Sequence, residues 1–402
     1  MAPEDVRARL LAGVADVVPA EDLERKLALG RPLRVKLGLD PTAAEVTLGW
    51  AVVLRKLRHF QDEGHTAVLI VGDFTARVGD PSGRTETRPR LDKDVVLAYA
   101  DRLLEQFWSI LDRDRTEVRY NGEWLEPLGM QELLKLTASS TVARMLERDD
   151  FAKRYAEGRP ISVMEFLYPL LQGYDSVAVR ADVELGGNDQ RFNLLVGRDV
   201  QRAWGQEPQV AITVPLLEGL DGVQKMSQSL GNYVGVREPE DEMFGKLMRI
   251  PDELIGTYLR LAADLPAPEV ERVSAEIADG SLRPDIAKRR MASAVVELYH
   301  GPGAGERAQA AFDRVHRDRE VPAEVREAAI PAELTTDGRV WIPRLLQALG
   351  LASSNGEARR LIEQGGVRLD GEVLRDPRVE LSADALRGSV LQVGRRQFVR
   401  LV

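Results

Sequence analysis

The spacing of apolar residues switches period repeatedly along the first part of the chain. Residues 34–40, RVKLGLD, form an apolar run of strand length. Residues 48–63 then carry Ala51, Leu54 and Leu57 at helical spacing, and Gly64 marks a stop. Residues 67–71, AVLIV, read as a strand buried on both faces. Strand, helix and strand in that order predict a parallel sheet. Upstream, residues 4–30 read as helices. Downstream come a long amphipathic helix over 91–112, a strand over 116–120, and helices near 130–137 and 141–147. A helix over 162–175 contains Pro169, where it is expected to break or restart. Residues 177–185 read as strand, 189–204 as helix and 209–215 as another apolar strand. The predicted fold over residues 1–235 is a doubly wound, Rossmann-like parallel α/β sheet with a helical insertion at about 90–160. Residues 236–332 are helical and strand-poor, 330–338 read as a linker, and 338–402 as a small α+β domain.

Composition narrows the picture. A charged share of 30% and a hydrophobic share of 44% are ordinary for a globular chain of 402 residues. There is no cysteine, so disulfides and thiolate metal sites are excluded and a cytoplasmic location is expected. The four histidines, His59, His65, His300 and His316, have no metal-ligand spacing, and no metal site is expected. No stretch approaches the roughly 20 apolar residues of a membrane span. The net charge of −9 argues against a chain wholly devoted to nucleic acid. The charge is uneven, however. Residues 338–402 hold 11 arginines against 7 acids, a balance of +4, which leaves −13 for the rest. A basic tail on an acidic body suits a catalytic body with an RNA-binding appendage.

Candidate chemistry starts at the turn after the first strand. Gly38, Asp40 and Gly49 lie between that strand and a helix entered near Thr47-Leu48-Gly49-Trp50. The first N–H groups of such a helix form an anion site, although every α/β protein contains strand–turn–helix units. A second stretch, QKMSQSLGN (224–232), changes the weighting. The pair resembles the HIGH and KMSKS signatures of class I aminoacyl-tRNA synthetases. GDFTARVGDPSGRTETRP (72–89), YPLLQGYD (168–175), ELGGNDQRFN (184–193) and KMSQSLGN (225–232) stand in the order and spacing of the tyrosyl-tRNA synthetases. SSNGEARRLIEQGGVRLDGEVL (353–374) resembles an S4 RNA-binding module, with Arg359 and Arg360 on a helix and a hairpin turning at Asp370-Gly371.

The resemblance implies roles for particular residues. Asp80, Tyr168 and Gln172 would hold a substrate ammonium, and Asp175 a phenol hydroxyl. Taken alone, Asp80 suits a structural turn and Asp175 a helix-end carboxylate. Lys36 stands where one branch of the family has a tyrosine touching the same hydroxyl, and a second branch has lysine. Gln190 would lie near the amino-acid carboxyl, Asp189 on the ribose and Gly187 against the nucleotide, together with Gly38, Asp40, Gly49 and Trp50. Arg84, Arg88 and Lys225 would close over pyrophosphate, with Thr42 and Thr47 among the catalytic groups and Met226, Ser227 and Gln228 on the nucleotide side. The bland reading of the arginines is solvated surface. ATP, with Mg²⁺ accompanying it, tyrosine or a similar amino acid, and tRNA are the expected ligands. A homodimer through the helical insertion is the expected assembly.

Three signature residues depart from the family. Thr47 and Trp50 occupy both HIGH histidine positions, and Gln228 the second KMSKS lysine position. His59 lies 12 residues beyond Thr47, roughly 18 Å along a helix, too far to substitute. One preorganised donor is typically worth ~10²–10³ in rate, so weakened adenylation is expected. Two other readings stay open: a paralogue redirected to another ligation, and a non-catalytic regulator that binds tyrosine or tRNA. Trp50 could also simply pack in the core.

Overall fold

In the computed structural model the alternating pattern closes into one six-stranded sheet. Its strands are β1 (Asp16–Val18), β2 (Arg34–Leu39), β3 (Thr66–Val71), β4 (Thr116–Tyr120), β5 (Val183–Gly187) and β6 (Val210–Val214), in the order β1-β6-β5-β2-β3-β4. All neighbours run parallel except β1, which pairs antiparallel with β6. The structure describes residues 3–79, 92–314, 325–336, 338–394 and 397–402. By compactness the chain divides into residues 1–302 and 303–402.

The strand order reverses at β2. The next strand in sequence lies on one side of it and β5 on the other, so the loops after β2 and β5 part over a crevice at the strands' C-terminal ends. Helix α1 (Leu48–Asp62) leaves the β2 loop. Thr47 caps it by accepting the Trp50 N–H at 3.3 Å, and Gly64 follows its end at φ +88°. Leu48, Ala51, Leu54, Leu57 and Phe60 on this helix are fully buried.

Helix α2 (Val163–Val179) begins with a capping box formed by Ser162 and Glu165. It passes Pro169 unbroken and runs to Val179, which corrects the expected break and shortens the following strand to Val183–Gly187. Packing outweighs the lost backbone hydrogen bond. Leu170, Leu171 and Val177 share a core with Val196 and Val200 of helix α3 (Arg191–Ala203). The two helices touch at Gly173, where a Cβ would lie 3.2 Å from the Cα of Gly197 and 2.9 Å from Val200. Residues 4–30, expected to be helical, include β1 between two helices. Its three residues are too few to show a period. Helices Glu240–Leu247, Ile255–Leu261, Ala267–Ala278 and Pro284–His300 complete this unit around Met243, Phe244, Tyr258 and Val295.

The second unit carries strands β7 (Arg326–Ala328), β8 (Thr335–Thr336), β9 (Arg339–Trp341), β10 (Val367–Leu369), β11 (Glu372–Leu374), β12 (Glu380–Ser382), β13 (Val390–Val393) and β14 (Gln397–Leu401). Five form the sheet β11-β10-β13-β14-β7 and three the sheet β12-β9-β8. The β10–β11 hairpin turns at Asp370 and Gly371, both at positive φ, as Asp-Gly predicts. Residues 330–336 are not a linker. Ile330 and Leu334 pack into this unit's core and β8 pairs with β9, so apolar burial overrides a loop-like composition.

Candidate active site

A cavity of about 1080 Å³ opens at the switch point, ample for a nucleotide and an amino acid together. It gathers nearly all the expected site residues within the described chain. Gly38, Asp40, Thr42, Thr47, Gly49 and Trp50 come from the β2 loop and the start of α1. Tyr168, Gln172 and Asp175 come from one face of α2, and Gly187, Asp189 and Gln190 from the end of β5. Lys225, Met226, Ser227 and Gln228 close the far side. Asp80, Arg84 and Arg88 lie outside the described residues, and Arg359 and Arg360 belong to the other compact unit.

The inner end of the cavity is a hydrogen-bonded network. Asp175 is not a helix-end or surface carboxylate. It lies within α2 and is only 3% exposed. It accepts the Trp124 indole N–H at 2.8 Å and an Asn121 amide N–H at 3.3 Å. Burial pushes its carboxyl up to about 6, although the Lys36 charge and those two donors oppose the shift. Asn121 also donates to the Thr75 hydroxyl at 2.9 Å. Thr75 donates to Asp40 at 2.7 Å, and Tyr168 donates to the other Asp40 oxygen at 3.0 Å. A Cβ at Gly72 would fall 2.0 Å from the Asp40 carboxylate and 2.4 Å from the Thr75 hydroxyl, so a side chain there would displace this network.

Lys36 occupies a different place from the one the resemblance implies. It is fully buried beneath the cavity and is not among its lining residues. Its ammonium donates to the Gln172 carbonyl and the Ser176 hydroxyl, both at 2.8 Å, and pairs with Glu184 at 2.9 Å. Glu184 in turn accepts the Gln172 side-chain amide at 3.0 Å, which leaves the Gln172 Oε1 for the cavity. Lys36 therefore positions Gln172 rather than meeting a ligand. Removing one member of a buried pair strands the other charge, so Lys36→Met is expected to cost about 3–5 kcal/mol in denaturant unfolding.

The outer end carries the phosphate-type chemistry. Lys225 donates to Asp189 at 3.0 Å and is the one cation among the described lining residues. At Gly187 a Cβ would lie 2.7 Å from the Asp189 carboxylate and 2.9 Å from Leu216, so glycine keeps this edge open to a flat ligand. Thr47 is 2% exposed and its oxygen serves the helix cap, although its own hydroxyl proton stays available. Trp50 is not a core residue. It stands 38% exposed on the cavity wall. Among the described residues no cluster of His, Asp and Glu could hold a metal ion, and no helix is long and apolar enough to cross a membrane.

Sequence reasoning missed Thr75, Asn121, Trp124, Glu45 and Glu184. The available signal was positional. Thr75, Asn121 and Trp124 follow β3 and β4, and loops after parallel strands face the crevice.

Known proteins resemble this chain in sequence and in fold. The family model for tRNA synthetases class I (W and Y) matches residues 28–317, and the S4 domain model matches 340–385. A tyrosine--tRNA ligase of Moorella thermoacetica is 52% identical over 396 residues, covering 98% of this chain and 94% of that protein. One from Symbiobacterium thermophilum is 52% identical over 403 residues, covering 98% and 96%. Among solved structures, the Archaeoglobus fulgidus tyrosyl-tRNA synthetase complexed with L-tyrosine superposes with a TM-score of 0.61 at 23% identity, covering 76% of this chain and 98% of that one. At that identity it speaks for the fold alone. With the family model spanning most of the chain and full-length relatives at half identity, the chain belongs to the tyrosyl-tRNA synthetase family of class I aminoacyl-tRNA synthetases.

Proposed function

We propose that the chain is a tyrosine–tRNA ligase whose adenylation step is weakened by its altered signature residues. The observation that supports the substrate is Asp175, a buried carboxylate on the cavity wall that is held by two donors and suits a phenol hydroxyl as a further one. In the reaction, a tyrosine carboxylate oxygen bonds to the α-phosphorus of ATP and the bond to pyrophosphate breaks. The tyrosyl group then passes from AMP to a hydroxyl of the tRNA. Asp189 and Gly187 would seat the ribose, and Gln172 and Tyr168 the ammonium side. Lys225 would neutralise the departing pyrophosphate, which Mg²⁺ would accompany. Thr47 and Trp50 supply one hydroxyl and one indole donor where the family has two imidazoles.

The test is tyrosine-dependent ATP–pyrophosphate exchange by the natural chain beside Thr47→His/Trp50→His. Exchange above background, rising about 10–100-fold in the variant, is the expected result. Losing the Thr47 cap should cost the variant about 1 kcal/mol of stability. The eroded donors also favour a second reading, a pocket redirected to another ligation. Silence in the natural chain with exchange in the variant would select it. Silence in both, with tyrosine still bound, would select a regulator.

For RNA, Arg359 and Arg360 are both exposed on one helix, with Arg359 stacked 4.9 Å over Trp341. For assembly, Met130, Leu134, Val142 and Tyr155 on the inserted helices and Val163 at the start of α2 leave 61–76% of their surface exposed, which suits pairing with a second copy. Sedimentation should give a dimer, and Leu134→Glu/Val163→Glu a monomer.

A further inference from the structure

We infer that Gln228, Glu45 and Tyr233 form a latch that holds the KMSQS loop against the turn preceding Thr47, built wholly from the chain's own groups. They are positioning residues. Their purpose rests on the ligase reading, because the loop they hold carries Lys225.

The contact has three layers. At its base, Leu48 N–H donates to the Val234 carbonyl at 2.9 Å and Val236 N–H to the Val46 carbonyl at 2.8 Å. All four side chains are at most 2% exposed. In the middle, the Gly49 N–H points at the Met226 sulfur, 3.3 Å away, and a Cβ at position 49 would sit only 3.3 Å from Met226. At the tip, the Gln228 side-chain amide donates to the Glu45 carbonyl, and the Tyr233 hydroxyl donates to the Glu45 carboxylate at 2.9 Å. That hydrogen bond raises the Tyr233 hydroxyl above its ordinary range. Within the loop, buried Asn232 accepts the Ser227 N–H at 2.9 Å and donates to the Lys225 carbonyl at 3.2 Å.

A lysine at 228 would carry its charge toward phosphate. Glutamine lacks the charge, and here its neutral amide ties the loop to the main chain instead. A loop ordered beforehand spares ligand binding the entropy of ordering it. The latch thus trades one cation for preorganisation of the other, Lys225.

Hydrogen–deuterium exchange of residues 225–231, without nucleotide, tests this directly. Gln228→Ala and Tyr233→Phe should speed exchange there about 3–10-fold, the range of one modest hydrogen bond. Glu45→Gln, which keeps both acceptors and loses only the charge at an exposed site, should speed it less than either. Strand Val210–Val214 should be unchanged in all three, reporting an intact fold. In pyrophosphate exchange, Gln228→Ala should raise KM for ATP by a similar factor with kcat nearly constant, because a pre-set loop helps ground and transition states alike. Equal loop exchange in parent and variants would overturn the latch. So would a fall in kcat at constant KM, which would place Gln228 on the reacting phosphates. Loop protection behaving as stated in a chain that fails to activate tyrosine would sink the ligase reading and leave the latch standing.

Discussion

Asp175→Asn lowers kcat/KM for tyrosine by about 10²–10⁴, through two losses of roughly 1.5–3 kcal/mol each. First, the phenol hydroxyl loses a charged acceptor. Second, an amide has only one acceptor atom, so its NH₂ must face either the Trp124 indole or the Asn121 amide, both donors now aimed at Asp175. Activation of phenylalanine should change little, so discrimination collapses. The usual rejection of phenylalanine, ~10⁴–10⁵, is the figure known for tyrosyl-tRNA synthetases themselves and is taken over from them. The pH dependence is specific. Burial raises the Asp175 carboxyl from 3.8 to about 6 in the folded chain. The folded state therefore holds this proton more tightly than the unfolded state, and stability falls as pH rises from 3.8 through about 6. Tyrosine binding runs the opposite way, because the phenol donates to the ionised form. Its Kd should drop as pH rises toward 6, up to tenfold per unit, and level off above. Titrations of tyrosine between about pH 5 and 8 should show this for the parent and a flat line for Asp175→Asn. A flat line for the parent would remove Asp175 from phenol recognition.

Lys225→Ala slows the adenylation step by about 10²–10³ in single-turnover measurements while tyrosine affinity holds. Lys225 is the one cation among the described lining residues. With both signature histidines and the second lysine absent, little shares its load among the described residues. A unit charge about 4 Å from a phosphate oxygen is worth roughly 4 kcal/mol at an effective dielectric near 20, which sets this scale. The substitution also releases Asp189 from its 3.0 Å ion pair, so ATP binding should weaken less than the rate. A rate within tenfold of the parent would mean that groups elsewhere, Arg84 and Arg88 first among them, carry the phosphate chemistry.

These two residues also show how far the sequence could be read. KMSQS fixes Lys225 by its text. YPLLQGYD fixes Asp175 as a candidate, yet nothing local says that it is buried inside a helix that ignores its own proline. That follows from Gly173 meeting Gly197 across a helix pair 24 residues apart in the chain. The partners of Asp175 were equally hidden, because Asn121 caps and Trp124 lies in a short helical turn, Gly122–Leu125, whose sequence has no motif of its own.

Period and turn chemistry are local properties. The doubly wound sheet, the helix starting at Thr47, the Asp370-Gly371 hairpin and the loss of three signature side chains were therefore legible in residue order alone. Partnership across strands and helices is not local. It took the folded chain to show that Lys36 lies beneath the cavity with Glu184, that Trp50 faces the cavity instead of the core, and that Gln228 reaches the Glu45 carbonyl. Each depends on which groups the packed backbone brings within about 3 Å, a distance at which hydrogen bonds form and spacing along the chain carries no information.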